Sequence, residues 1–266
     1  MLKITILGAA GRMGGALIRG IADNPALTLA AAVERGGHPS IGQDAGVISG
    51  ILALNIPVTD DRATAIAKAE VVIDFTFHAE APASTREAVK ANAAYVLGTT
   101  GLTDAEAEAV KDAATKIPVV WAPNFSLGVN VLLDLVRRAA AALDDSYDAE
   151  IVEMHHRHKK DAPSGTALGL GKSLAEGRNV DLKDVAIYGR EAGITGERKR
   201  GDIAFHALRG GDVVGDHTVI FAADGERVEL VHKASSRECF VGGALKAAQW
   251  LKGKRPGLYS MADVLR

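Results

Sequence analysis

The feature that most constrains the fold is an apolar strand that runs directly into a glycine-rich turn and then a helix. Leu2 to Leu7 has the apolar character of a buried strand, and apolar residues recur at helical spacing from Met13 to Ile21. Between them lie Gly8, Gly11 and Gly14, in the spacing G-x-x-G-x-x-G. Strand, glycine turn and helix are the context in which dinucleotide-binding turns occur. The alternative is a tight strand-to-helix turn without a ligand.

We predict that this turn approaches the pyrophosphate of a dinucleotide cofactor. In that arrangement Gly8 makes the tight turn, Gly11 lets the backbone approach the phosphates, and Gly14 lets the helix meet the strand. The residues predicted to contact the cofactor here are Gly8, Ala9, Ala10, Gly11, Arg12 and Met13.

A charged pair follows the second predicted strand, which extends from Leu27 to Val33. Glu34 lies twenty residues after Gly14, where an acidic residue receives the adenosine ribose hydroxyls of NAD. The adjacent Arg35 is the residue type that accepts the 2′-phosphate of NADP. The pair therefore predicts use of both NADH and NADPH, although either residue alone could be an ordinary surface charge.

Strands and helices alternate up to about residue 126, and the pattern then changes. Alternating βα units favour a parallel, doubly wound sheet of the Rossmann type. A long predicted helix, residues 127–143, leads to a part dominated by strands, with a hairpin signal at Asp224-Gly225. We predict an α/β fold with a Rossmann-like doubly wound parallel sheet, plus a second α+β domain with a mixed or antiparallel sheet.

Composition excludes several classes of partner. The net charge is −2, and the only strongly basic cluster is isolated, so nucleic acid is disfavoured. No segment has the length and apolar character of a membrane span, and the first residues do not resemble a signal peptide. Cys239 is the only cysteine, which excludes a disulfide framework and fits a reducing cytoplasm.

A second motif places cations beside a predicted helix start. Glu150 to Met154 alternates as a strand does, and the next six residues contain three histidines, an arginine and two lysines. Ser164 is a good N-cap, so Gly165 and Thr166 would present backbone N–H groups to a carboxylate or phosphate. This pattern predicts a pocket for a small anion with proton donors beside it. A solvated or nucleic-acid-facing patch and a metal cluster are the alternatives, and the flanking lysines disfavour a metal.

The motif E-x-H-H-x-x-K-x-D-A-P-S-G-T-A, residues 153–167, resembles the signature of the 4-hydroxy-tetrahydrodipicolinate reductase (dihydrodipicolinate reductase) family. The resemblance covers essentially the whole chain. It implies NAD(P)H-dependent reduction, with loss of water, of a cyclic imine dicarboxylate in lysine and diaminopimelate biosynthesis. It also implies that His155 and Lys159 handle the proton, without deciding which one donates it, and that His156, Gly165 and Thr166 bind substrate carboxylate.

Further expectations rest on the same resemblance. Two loops are expected to cradle the nicotinamide half of the cofactor: Gly98, Thr99 and Thr100, and Ala122, Pro123, Asn124 and Phe125. Residues 1–126 with 236–266 are expected to form the dinucleotide-binding domain. Residues 127–235 are expected to bind substrate and to form a homotetramer through the sheet.

Two rival functions remain open from the residues alone. Another Rossmann enzyme acting on amino acids, such as aspartate or homoserine dehydrogenase, would share the glycine turn but lack the D-A-P-S-G-T helix start. A non-catalytic dinucleotide-binding sensor would bind NADH without turnover and would need no Lys159 beside an anion site. Substrate profiling and an assay of NADH oxidation separate these possibilities.

Overall fold

The computed structural model describes residues Met1 to Arg266, which form two compact units: unit 1, Met1–Leu127 with Arg237–Arg266, and unit 2, Gly128–Ser236. The strands are β1 (Leu2–Leu7), β2 (Leu27–Val33), β3 (Val58–Thr59), β4 (Val71–Asp74), β5 (Ala94–Leu97), β6 (Pro118–Trp121), β7 (Asp148–His155), β8 (Ala186–Tyr188), β9 (Ile203–Arg209), β10 (Gly215–Ala223), β11 (Glu226–Ala234) and β12 (Gly257–Tyr259). The helices are α1 (Arg12–Ala22), α2 (Ala45–Ile48), α3 (Arg62–Ile66), α4 (Ala81–Ala91), α5 (Asp104–Ala114), α6 (Leu127–Ala142), α7 (Gly165–Arg178), α8 (Leu182–Val185), α9 (Glu238–Trp250) and α10 (Met261–Leu265). None of the helices combines the length and the hydropathy that crossing a bilayer requires.

Unit 1 is built on a parallel sheet of seven strands in the order β12-β6-β5-β4-β1-β2-β3. The strand order reverses at β1, which pairs with β2 on one side and with β4 on the other. In such sheets ligands bind outside the carboxyl ends of the strands at this reversal. The predicted Rossmann-like sheet is therefore confirmed, with the glycine turn at its switch point.

Helices cover both faces of this sheet, because alternate strand residues belong to different cores. Ile73 and Val96 pack in a core with α1 and α9, whereas Val72 and Tyr95 pack in a core with α3, α4 and α5. All four of these strand residues are fully buried. Strands buried on both faces are typical of doubly wound folds.

Unit 2 contains a mixed sheet in the order β11-β10-β7-β9-β8. Strands β7, β9 and β8 are parallel, and β10 runs antiparallel to both β7 and β11. One face packs against α6 and α7 in a core that includes Ile151 and Phe205. On the opposite face Leu208 and Val231 remain 49% and 50% exposed.

Two strands of unit 1 were not predicted from the sequence. Strand β3 is only two residues long, and β12 pairs through Gly257 with Pro118 of β6. Segments this short carry no periodic pattern, so their conformation depends on the neighbouring strand rather than on local sequence. Strand β12 brings the segment after α9 into the sheet of unit 1.

Helix α9 approaches the loop after β6 so closely that only glycine fits at one position. A Cβ atom on Gly243 would lie 1.7 Å from the carbonyl oxygen of Phe125, which belongs to the predicted nicotinamide loop. A Cβ atom on the neighbouring Gly242 would meet nothing within 4 Å. The two glycines share a helix but differ in what faces them.

We therefore predict opposite effects on stability from the same chemical change at these two positions. Gly242→Ala should raise the unfolding free energy by about 0.5–1 kcal/mol, because alanine favours helix. Gly243→Ala should lower the unfolding free energy by about 1–3 kcal/mol, because the helix or the loop must shift. Thermal unfolding followed by circular dichroism measures both, and equal changes would contradict the assigned contact.

Candidate active site

The carboxyl end of β7 delivers two ionisable side chains to the face that packs against the helices. Glu153 and His155 are two residues apart on a strand, so both point to that face, and they are 1% and 8% exposed. The chain then turns, and Lys159 Nζ donates hydrogen bonds of 2.9 and 2.8 Å to the carboxylate oxygens of Asp161. Lys160, one residue further, is exposed. The structure thus distinguishes Lys159 from its neighbour Lys160.

The start of α7 lies a few residues beyond this turn. Ser164 is its N-cap, and the hydroxyl oxygen accepts a hydrogen bond of 3.1 Å from the Ala167 N–H. The first turn of α7 itself contains no acidic residue. A Cβ atom on Gly165 would meet nothing within 4 Å, which leaves open space beside the first amides. Both features suit an anionic ligand.

The buried Glu153 carboxylate connects these parts. It accepts two hydrogen bonds of 2.8 Å from the Arg209 guanidinium, one from the Ser164 N–H at 3.0 Å, and a 2.5 Å contact from His155 Nδ1. Burial raises the pKa of Glu153, but the hydrogen bonds from Arg209 and His155 outweigh it and hold the pKa below the ordinary value. The carboxylate is therefore ionised and an acceptor at every contact.

The contact with Glu153 also assigns the proton on His155. Because Nδ1 faces a carboxylate, Nδ1 carries hydrogen, and Nε2 is the atom that can exchange a proton. A Cβ atom on Gly215 would lie 2.9 Å from Nε2, so the absence of a side chain at Gly215 leaves room beside that atom.

A second imidazole lies against His155. The rings of His155 and His217 are 5.2 Å apart in an edge-to-face arrangement, and His217 Nε2 is 3.1 Å from the Ser164 hydroxyl. Burial, followed by the influence of His155, lowers the pKa of His217 to about 4. At neutral pH His217 is uncharged, so it adds no positive charge beside His155.

Sequence reasoning missed Arg209 and His217, because both reach the site through the sheet rather than through the motif. Strands β7 and β9 are parallel with His155 opposite Arg209, and β10 is antiparallel with His217 opposite Glu153. The only local signals were that Arg209 lies at the end of one strand and His217 lies near the start of the next. Neither signal indicates which strands are neighbours.

In unit 1 the glycine turn has the geometry of a phosphate-binding turn. Gly8 has a φ of +75°, which favours glycine, and a Cβ atom on Gly14 would lie 2.1 Å from the Gly8 carbonyl oxygen. Gly11 is the N-cap of α1 without a side-chain hydrogen bond, so no side chain caps the helix start. Close backbone approach and an uncapped helix start fit a dinucleotide pyrophosphate.

The acidic residue after β2 lies against this turn. Glu34 accepts a hydrogen bond of 3.1 Å from the Ala10 N–H, and its other oxygen accepts one of 3.0 Å from the Arg35 N–H. The side chain of Arg35 is exposed. The structure therefore brings Glu34 to the glycine turn and leaves Arg35 accessible beside it.

The other predicted cofactor loops follow β5 and β6. A Cβ atom on Gly98 would lie 2.1 Å from the Phe75 ring, and the Thr99 hydroxyl donates a hydrogen bond of 3.0 Å to the Thr76 carbonyl. Ala122 joins the two loops, since its N–H donates to the Leu97 carbonyl at 3.2 Å. The next residue of the first loop, Thr100, is exposed.

A cavity of about 270 Å³ opens between the glycine turn and the loop after β6. It is lined by Arg12, Met13, Phe75, Pro123, Asn124, Phe125, Arg237 and Phe240. Five of these were predicted to contact the cofactor. Phe75, Arg237 and Phe240 were not, and the last two come from the segment after unit 2. The predicted residues thus form one group in unit 1 and, from His155 to Thr166, another in unit 2.

Comparison with known proteins agrees with this geometry. The chain matches the family described as dihydrodipicolinate reductase, N-terminus, over residues 2–125 and the C-terminus of the same family over residues 128–265. A protein of Anaeromyxobacter dehalogenans named 4-hydroxy-tetrahydrodipicolinate reductase is 52% identical over 266 residues, covering 100% of this chain and 98% of that protein.

Other relatives extend the comparison. A Ruegeria pomeroyi protein with the same name is 53% identical over 262 residues, covering 98% of this chain and 97% of its own length. The solved structure of dipicolinate-bound dihydrodipicolinate reductase from Paenisporosarcina has the same fold, with a TM-score of 0.77 and 24% identity over 98% of this chain and 97% of that chain. The chain therefore belongs to the dihydrodipicolinate reductase family.

Proposed function

We propose that this chain reduces 4-hydroxy-2,3,4,5-tetrahydrodipicolinate to tetrahydrodipicolinate, with loss of water, in the diaminopimelate route to lysine. The observation that carries the proposal is the convergence at the end of β7 of His155, Lys159 and the start of α7. A dicarboxylate needs such an anion site, and reduction of its ring needs a proton as hydride arrives. The chain has one cysteine, Cys239, and so no disulfide framework, which fits a cytoplasmic location.

The proposed binding of NADH or NADPH rests on the glycine turn and the loops of unit 1. Backbone groups of Gly8, Ala9, Ala10, Gly11, Arg12 and Met13 would hold the pyrophosphate, and residues 98–100 and 122–125 would hold the nicotinamide half. Arg12 adds a cation at this end of α1, where phosphate charge would lie. When bound, the reduced nicotinamide supplies the hydride.

The proposed substrate contacts come from unit 2. Gly165 and Thr166 at the start of α7 would bind one carboxylate through backbone N–H groups, and His156 would add a contact to it. The Lys159 ammonium is held beside Asp161, whose pKa is lowered first by the hydrogen bond from Lys159. A substrate carboxylate would compete with Asp161 for the Lys159 ammonium. This competition would draw Lys159 toward the substrate.

The proton would come from His155 or Lys159. Imidazole Nε2 of His155 can release a proton while Nδ1 stays on Glu153, and Lys159 carries a proton that it can donate directly. The arrangement supports either donor.

The role of Lys159 can be separated from that of a general positive field. Lys159→Ala should lower kcat by roughly 10²–10⁴-fold if Lys159 is a positioned proton donor, with NADH affinity nearly unchanged. Oxidation of NADH is followed at 340 nm with substrate generated by the preceding synthase. A bulky replacement of Gly165 should instead raise KM first, because it occupies the anion site.

Lys160→Ala is the matched control. Lys160 carries the same charge, follows Lys159 directly and has an exposed side chain. Its loss should be small and should shrink further with added salt. Comparable losses for both lysines at low and high salt would show that the cluster acts only as a positive field.

Cofactor choice can be tested at Arg35. Because Arg35 is exposed beside Glu34, Arg35→Ala should weaken NADPH by roughly 1.5–3 kcal/mol, or about tenfold to more than a hundredfold. NADH has no 2′-phosphate and should change little. Fluorescence titration measures the affinity of the variant for each cofactor. Equal losses of NADPH and NADH affinity would show that Glu34 and Arg35 do not lie beside the adenosine ribose.

We also propose that the open face of the unit 2 sheet forms a homotetramer interface. Val152, Met154 and Ile220 are half-buried there, and Leu208 and Val231 are about half exposed. Solvent-facing strands are usually polar, so apolar residues in this pattern favour association. Strand β11, nine residues long, also forms an edge of this sheet.

Analytical ultracentrifugation should find four chains of 27.7 kDa in one species. Val231→Lys on the open face should shift the population to smaller species, because a charge opposes burial. Val180→Lys is the matched control, since Val180 is 42% exposed but lies outside the sheet. A monomer at all concentrations would contradict this assembly.

A further inference from the structure

We propose that Arg209 is a positioning residue that shares Glu153 with His155 and thereby lets His155 release its proton while staying correctly oriented. The proposal rests on the function proposed above and deepens it. Arg209 lies outside the motif and on a different strand from His155. Its proposed role is to neutralise the negative charge of Glu153 beside this histidine.

The first support is the geometry of the guanidinium. Arg209 Nη1 lies 2.8 Å from Glu153 Oε2, and Nη2 lies 2.8 Å from Oε1, so both nitrogens of the fork engage the same carboxylate. Oxygen Oε2 is also the atom that faces His155 Nδ1 at 2.5 Å. One buried carboxylate oxygen is therefore divided between a permanent cation and an imidazole.

The second support is the balance of charge around His155. The ionisable groups near it come from every neighbouring element: Glu153 on β7, Lys159 and Asp161 in the following turn, Arg209 on β9, and His217 with its strand neighbour His232 on β10 and β11. Lys159 and Asp161 pair with each other, and burial lowers the pKa of His217 to about 4 and the pKa of His232 below its usual value. Arg209 is the permanent cation that is hydrogen-bonded to Glu153.

The consequence concerns the charge state of His155. A buried carboxylate without Arg209 would form a full ion pair with the imidazolium and oppose its deprotonation. With Arg209 in place, Glu153 still fixes the ring orientation, but the Glu153–Arg209 pair carries no net charge. The histidine is held without being locked as a cation.

The third support is a direct connection to the Lys159 turn. Arg209 Nη2 also donates a 2.7 Å hydrogen bond to the backbone carbonyl of Asp161. Through the other carboxylate oxygen, Glu153 accepts the Ser164 N–H. Arg209 therefore links the histidine, the turn that carries Lys159 and the start of α7.

The test measures the titration of His155 directly, by NMR of the Cε1–Hε1 group in protein labelled with ¹³C-histidine. Loss of the signal in His155→Asn identifies it. Arg209→Gln should move the titration midpoint upward by about one pH unit or more, the size expected for a neighbouring charge. Glu153→Gln should move it downward, and the double variant should return toward wild type, because both charges are then gone.

Arg209→Lys keeps the charge but loses the fork. Its midpoint should stay near that of wild type, whereas kcat should fall because the contacts to Glu153 and Asp161 are incomplete. Arg198→Gln is the matched control: Arg198 also bridges two acids, Asp148 and Glu150, on the same sheet, and it should leave the His155 midpoint unchanged.

A purely structural role for Arg209 predicts a different result. Arg209→Gln would then lower the unfolding temperature and kcat without moving the midpoint, and that outcome overturns the proposal. So does a shift of equal size in Arg198→Gln. If Arg209→Gln does not fold, the double variant compared with Glu153→Gln decides, since equal midpoints in those two proteins would also overturn it.

The NMR titration needs no substrate, so it separates the two proposals. Shifts of the expected sign in a protein that does not reduce the dicarboxylate would reject the proposed function and leave the role of Arg209 standing. Turnover of the dicarboxylate without those shifts would support the function and reject the role of Arg209.

Discussion

The arrangement of unit 2 depends on one buried negative charge. A carboxylate that is 1% exposed, as Glu153 is, can stay ionised only if hydrogen bonds and opposite charge replace the water it has lost. Its partners come from β7, β9 and the start of α7, so satisfying this one group fixes three elements relative to one another. The same contacts place His155 and the first turn of α7 side by side.

The arrangement of unit 1 depends on glycines rather than on a buried charge. In unit 1 loops and helices approach one another closely because side chains are absent where they meet. Gly14, Gly98 and Gly243 each lie where a Cβ atom would approach another group within 2.1 Å. Glycine inside a helix costs about 0.5–1 kcal/mol relative to alanine, and close packing offsets that cost at Gly14 and Gly243.

Local patterns in the sequence predicted what is local in the structure. Strands β1 and β2 have the predicted bounds, and the predicted cap at Ser164 is present. The fold class followed from the alternation of these elements and is confirmed. The resemblance supplied the expected residue roles, which the strand and cap patterns alone could not provide.

What was missed depends on pairing between distant segments. Arg209 is 56 residues from Glu153, and His217 is 53 residues from Ser164. Their positions are set by the register of β7 with β9 and β10, which no local pattern encodes. Strand β12 was missed for the same reason, because its three residues extend only by pairing with β6.

The return of the chain to unit 1 has a consequence for folding during synthesis on the ribosome. Residues 1–127 leave the ribosome before unit 2, but their sheet lacks β12, and α1 lacks the apolar cover of Val241 and Leu245 on α9 until residues 237–266 have been made. Unit 2 is continuous and can fold as soon as it emerges. Until residues 237–266 have been made, unit 1 therefore keeps an unpaired edge at β6 and a helix α1 that lacks part of its apolar cover.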